Sequence, residues 1–204
     1  MARTYPDLPW CRYADDGLIH CRNELEAQAV KAALQARLVE CRLEMHPTKT
    51  KIVYCRDGKR RGEYPNIKFD FLGYCFRPRL VKNSRDNSLF CGFNPAVSPS
   101  ALKSMRMTIR ELNIRCRTEL SLAEIAQSLN PLLRGWINYY GRYAPSALAP
   151  LLRYVNQTLL AWARRKFKRF RAHKTRASQF LLKLSRARAS LFVHWQLGMT
   201  GVFA

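Results

Sequence analysis

The sequence predicts an α+β fold: an antiparallel sheet with one packed helix, followed by an all-α, strongly basic bundle. Three observations carry this. Short apolar and alternating runs recur through the first part of the chain, the signature of strands. From Ser98 onward, apolar residues return at spacings of three and four, the signature of helices with one buried face. A break in pattern falls near residues 90–97, which divides the chain into segments 1–94 and 95–204.

Trp10 to Tyr13 and Gly17 to Cys21 read as strands, with Ala14-Asp15-Asp16 as the turn between them. The apolar residues Trp10, Leu18 and Ile19 predict that this pair belongs to a buried sheet. Asn23 is placed to cap a helix, with Glu26 in capping-box position. Leu25, Ala29, Ala32, Ala36, Val39 and Leu43 form its predicted inner stripe, and His46-Pro47 ends it. Lys51 to Cys55 reads as a strand, Arg56 to Asn66 as a basic loop, Phe69 to Phe76 as an aromatic strand and Leu89 to Phe93 as a short last one. In the second part, Ser98-Pro99 opens a helix striped by Leu102, Met105, Ile109 and Leu112. Ser121 and Glu124 form a second capping box, followed by Leu122, Ile125, Ala126 and Leu129. Asn130-Pro131 repeats the cap-plus-proline pattern and predicts a fresh helix start. Ser146 opens another helix with Leu148, Leu151, Leu152, Val155, Leu159 and Trp162 inward, and Arg176 to Arg188 forms the last.

Charge narrows the partner. Lys and Arg number 36 against 14 acids, a net charge of +22. All the acids lie at or before Glu124; the last 80 residues hold none, yet carry 14 Lys and Arg. Ordinary soluble surfaces intersperse both signs, so so long an acid-free stretch implies a polyanionic partner. Nucleic acid comes first, because each phosphate contact releases counterions; an anionic membrane surface comes second. Other classes fall away. A hydrophobic share of 48% excludes a disordered chain. No apolar run reaches the length of a membrane span, and Met1 to Trp10 lacks a signal-peptide core. The seven cysteines are widely spaced, odd in number and without a CxxC pair. They predict reduced, mostly buried thiols rather than disulfides or zinc, and a cytoplasmic (bacterial) setting.

Tyr13-Ala14-Asp15-Asp16 is the sharpest local feature. Adjacent carboxylates at a hairpin tip repel each other, and a divalent cation would relieve that repulsion. Two Mg2+ ions acting on one phosphoryl transfer are a recurrent use of such a site; an ordinary Asp-Asp-Gly turn explains the same residues without one. The later elements decide between them. The acidic hairpin and its helix are followed by His46-Pro47-Thr48-Lys49-Thr50, then by Phe69-Asp70-Phe71-Leu72-Gly73-Tyr74. In order and spacing this resembles the C-terminal part of the palm of a group II intron reverse transcriptase. Leu129-Asn130-Pro131-Leu132-Leu133-Arg134-Gly135-Trp136-Ile137-Asn138-Tyr139-Tyr140 and Trp162-Ala163-Arg164-Arg165-Lys166 are similar to that family's maturase (thumb) domain.

The resemblance implies roles. Asp15 and Asp16 would be catalytic metal ligands for Mg2+, Lys49 would stand near the incoming triphosphate as a charge stabiliser or proton donor, and Phe71, Leu72 and Gly73 would grip the primer end. Arg134, Asn138 and Arg142 would face RNA, as would the basic run Arg164, Arg165, Lys166, Lys168, Arg169 and Arg171, with Phe167 and Phe170 buried along one helix edge. Trp136 and Tyr140 read as helix core, and His20, His173 and His194 as structural or RNA-facing. The implied partners are group II intron RNA or another structured RNA, a DNA primer, and a separate fingers and palm fragment, with no membrane. The family's further catalytic aspartate has no counterpart in this sequence, so the two-metal site is expected to be incomplete and the chain alone inactive as an RNA-directed DNA polymerase. Three readings stay open: a polymerase completed by a missing piece, a maturase-like splicing cofactor that binds RNA without catalysis, and a decayed remnant.

Overall fold

The computed structural model describes residues 4–60, 62–83 and 85–200. Its contacts divide the chain into two units, residues 1–71 with 77–93 and residues 72–76 with 94–204.

In the first unit, β1 (Trp10–Tyr13) and β2 (Asp16–Ile19) form an antiparallel hairpin that is a sheet of its own. Tyr13 pairs with Asp16, so the turn is Ala14-Asp15 and not the expected three residues. Ala14 takes the left-handed backbone that such a two-residue turn requires, with φ 51°. The predicted burial of this pair does not occur: every β1 residue is exposed, and Leu18 and Ile19 are half-buried. Helix α1 (Glu24–Glu40) begins as predicted, with Asn23 Oδ1 accepting from the Glu26 N–H at 2.9 Å. The Glu26 carboxylate reaches back to the Arg22 N–H rather than to Asn23.

The inner face of α1 differs from the expected one. Val30 is buried and Ala27, Ala33, Leu34 and Leu38 are half-buried, whereas Leu25, Val39 and Leu43 lie in solvent. The helix is apolar on two sides, and periodicity alone selects neither. Lys51 to Cys55 forms no strand. The Tyr54 N–H donates to Asn66 O, and no ladder builds around that bond. The predicted strand over Phe69 to Phe76 is two: β3 (Phe69–Phe71) and the start of β4 (Tyr74–Lys82), with β5 (Leu89–Val97) longer than expected. The sheet order is β3-β4-β5, and the two units share β4 and β5. Leu72 (φ 49°) and Gly73 (φ 77°) make the β3–β4 turn, both in the left-handed region.

The second unit holds the hydrophobic core. Helix α2 (Pro99–Glu111) is capped by Ser98, whose Oγ accepts from the Ala101 N–H at 3.1 Å. Helix α3 (Leu122–Tyr140) opens on a complete Ser121–Glu124 capping box. The expected restart at Asn130-Pro131 is absent, and the helix runs through the proline. A 3-10 turn (Pro145–Leu148) leads into α4 (Ala149–Lys166), the central helix, with no side-chain cap from Ser146. Leu151, Val155, Leu159 and Ala163 of α4 are completely buried; each larger one contributes about 1.5–3 kcal/mol by leaving water. Helix α5 (Lys174–Ala187) packs on α4, and a short α6 (Val193–Gln196), which the sequence did not suggest, packs on α3.

The thiols also depart from expectation. Cys75 alone is buried, whereas Cys11, Cys41 and Cys116 are exposed; none of the seven is in a disulfide. Among the described residues, no helix is long and apolar enough to cross a membrane.

Candidate nucleic-acid interface and acidic hairpin

Asp15 occupies the tip of the β1–β2 hairpin and Asp16 the first position of β2, both exposed. Next to them, Arg12 Nε donates to Ala14 O at 2.6 Å, bracing the turn. Two carboxylates supply too few oxygens for a pair of hard cations, each of which takes six or more ligands. Among the described residues, no group of three His, Cys, Asp or Glu gathers here or elsewhere. The residues present therefore do not by themselves fit the two-metal centre.

Lys49 lies in the turn after α1, exposed. His46 organises that turn: its Nδ1 faces the Thr48 N–H at 3.3 Å and the Lys49 N–H at 3.4 Å. No described ion pair joins Lys49 to Asp15 or Asp16. Leu72 and Gly73 form a tight turn whose geometry is fixed from within the second unit. Gly73 O accepts from the Ser98 N–H at 2.9 Å, Leu72 O accepts from the Tyr139 hydroxyl at 3.0 Å, and a Cβ at Gly73 would collide with the Tyr140 hydroxyl.

Arg134 and Asn138 stand one turn apart on the exposed side of α3, and Arg142 follows just beyond its end, also exposed. The basic run after Trp162 does not form one helix. It turns the corner between α4 and α5 through a 3-10 turn at Lys168–Phe170. Three of its cations are held by the fold. Arg164 Nη2 donates to Arg171 O at 3.1 Å, Arg165 Nη1 to Arg115 O at 3.2 Å, and Lys166 Nζ to Leu120 O at 2.5 Å. The last two bonds, with Trp162 Nε1 on Arg117 O at 3.1 Å, satisfy carbonyls of the α2–α3 connection, whereas Arg164 ties the corner after α4.

Lys168, Arg169 and Arg171 remain exposed at the corner. The Arg169 guanidinium lies over Phe170 at 4.7 Å from the ring centre and near Phe167 and Phe180. That stacking fixes the plane of the fork while its N–H edges face water. Lys174 and Arg176 on the first turn of α5 extend the same exposed run. The site assignment from sequence stopped at Arg171, although the absence of acids continues through both. No described ion pair involves a cation beyond residue 124, so these charges are left for an external anion.

Residues 1–76 match the family of reverse transcriptases (RNA-dependent DNA polymerases), and residues 102–180 match the group II intron, maturase-specific domain. No curated protein matches the chain.

Proposed function

We propose, for a chain that belongs among the group II intron reverse transcriptase/maturases by joining part of a palm to a maturase domain, that its helical part is a holder of folded intron RNA that assists splicing. We assign residues 1–94 to the palm and 95–204 to the maturase (thumb) domain. The observation that supports this reading is the acid-free stretch after Glu124, whose exposed cations stand on a well-packed core. Structured RNA is recognised through backbone and shape, which suits fixed cations on a helical surface.

Divalent metal dependence is general in the reverse transcriptase family, and the hairpin carboxylates Asp15 and Asp16 are the residues that would contribute to such a centre. Lys49 and the Phe71-Leu72-Gly73 turn take the triphosphate-side and primer-side roles in the same proposal. Because the described residues bring no third ligand to the pair, we assign no polymerisation to this chain alone. A DNA primer and a separate fingers and palm piece are the partners that would be needed for it.

The test is binding to a folded group II intron RNA and to an unstructured RNA of equal length, across a salt series. Each phosphate contact contributes about −0.7 to −0.9 to the slope of log K against log salt. The expected result is two steep lines that separate, the folded RNA keeping its advantage at high salt. Coincident lines would reduce the surface to non-specific attraction and overturn the proposal. Asp15→Asn with Asp16→Asn is expected to leave RNA affinity intact; a large loss would return the hairpin to the centre of the function.

A further inference from the structure

Four tyrosines meet at the C-terminal end of α3, brought together across a long sequence separation. Tyr74 is buried, and its ring centre lies 5.2 Å from Tyr139, 5.3 Å from Tyr140 and 5.7 Å from Tyr143. The Tyr74 hydroxyl donates to Tyr139 O, and the Tyr139 hydroxyl donates to Leu72 O at 3.0 Å. Tyr139 packs edge-on against Tyr140, 4.7 Å between centres. Tyr139 is thus held at its ring, its hydroxyl and its backbone.

Despite this support the outer rings are open: Tyr139 is 47% exposed and Tyr143 58%. A surface tyrosine ordinarily keeps its hydroxyl in water and its ring against the protein. Tyr139 departs from this: its polar end is tied to a backbone carbonyl while the residue stays 47% exposed. The exposed Arg142 places its guanidinium over the Tyr143 ring, 5.8 Å from its centre, so a cation adjoins the exposed tyrosines.

We propose that Tyr139 and Tyr143, with Arg142, form a stacking site for an unpaired base of the bound RNA. Every base has a π face, and an aromatic side chain already fixed in place loses little freedom on stacking. Arg142 would neutralise the phosphate adjoining the stacked base. Charge selects this occupant over an apolar peptide, since no acid follows Glu124 in the sequence. The inference rests on the RNA-holding function proposed above and adds a base-recognising point to it.

The experiment compares two oligoribonucleotides of about 12 nucleotides, equal in length and charge. One is oligo(A), and the other carries abasic residues throughout its centre. The full chain is expected to bind oligo(A) about tenfold or more tightly, the scale of one stacked base. Tyr143→Leu is expected to bring the ratio close to one, and Tyr143→Phe to preserve it. The Tyr143 variants carry the test, and their circular dichroism and thermal midpoints should match the parent. A ratio near one in the parent chain overturns the proposal, as does a ratio that Tyr143→Leu leaves unchanged. Failure of the RNA-holding function looks different: neither oligonucleotide nor the folded intron RNA binds selectively. Selective intron binding with a flat ratio removes the stacking site alone.

Discussion

At the scale of single residues, the most constrained group is His194. It is fully buried, and its Nε2 lies 2.7 Å from Asn156 Oδ1. The Trp195 Nε1–H donates to the same oxygen at 3.1 Å, and Asn156 Nδ2 donates to Met199 O at 2.9 Å. An indole N–H can only donate, so it fixes which end of the amide is oxygen, and His194 must then carry its proton on Nε2. Nδ1 is buried without a hydrogen-bond partner. Protonating it would place a donor and a charge where neither is met, and burial accordingly drives the imidazole pKa down to about 3. The sign follows from linkage. The unfolded chain binds a proton below about pH 6.5 and the folded chain does not, so His194 costs stability progressively as pH falls from about 6.5 towards 3. The loss is about 1.4 kcal/mol per pH unit once below the unfolded value, or about 2 kcal/mol at pH 5. Urea midpoints of the parent and His194→Gln, measured at pH 7 and pH 5, should show the parent falling further. Parallel losses would refute the assignment.

At the scale of elements, Pro131 carries the clearest departure from helix rules. A proline in the interior of α3 lacks the N–H that Gln127 O would accept and crowds that carbonyl, a cost of about 3 kcal/mol in an ordinary helix. The helix continues because both sides of the proline are anchored: Leu129 and Leu133 are completely buried. Asn130, which looked like a cap, is used elsewhere. Its Nδ2 donates to Leu191 O at 2.9 Å and its Oδ1 accepts from the Val193 N–H at 3.1 Å, clamping the C-terminal segment. Pro131→Ala is expected to raise the thermal midpoint, with a gain of about 1–3 kcal/mol. A lower midpoint would show that the proline's bend is required by the packing. Asn130 marks the limit of what the sequence could reveal. Caps that act on their own helix, at Asn23, Ser98 and Ser121, were legible because they are local. An asparagine that binds a strand of chain sixty residues away gives the same local pattern with a different partner. Likewise, composition disclosed the basic run but not that Arg165 and Lys166 would be spent on carbonyls of the α2–α3 connection. The acidic hairpin was legible as a turn, while its exposure was not, because burial depends on what lies beside it.

At the scale of the whole molecule, the two units differ sharply in what holds them. The helical unit buries a continuous cluster that includes Ile109, Leu129, Leu133, Leu151, Leu159, Leu181 and Phe192. In the first unit, Leu8 and Val30 are the buried apolar residues among those described, while Leu25, Val39, Leu43, Leu80 and Phe90 face solvent. Stability in a folded chain is distributed in the same way as buried contacts, so the two units should open at different free energies. Net charge works against the contrast without reversing it, because the acids are concentrated in the first unit and its self-repulsion is the smaller. Native-state hydrogen exchange should therefore find the amides of α4 and the buried turns of α3 exchanging about a hundredfold or more slowly than those of α1. The measurement also discriminates between causes. α1 is a regular, capped helix of 17 residues, so fast exchange there reflects its thin support and not poor helical geometry, since most helical stability in proteins comes from tertiary packing of one face. If α1 and α4 exchange at the same rate, the first unit draws stability from contacts beyond its own small core, and the solvent-facing leucines are not what limits it.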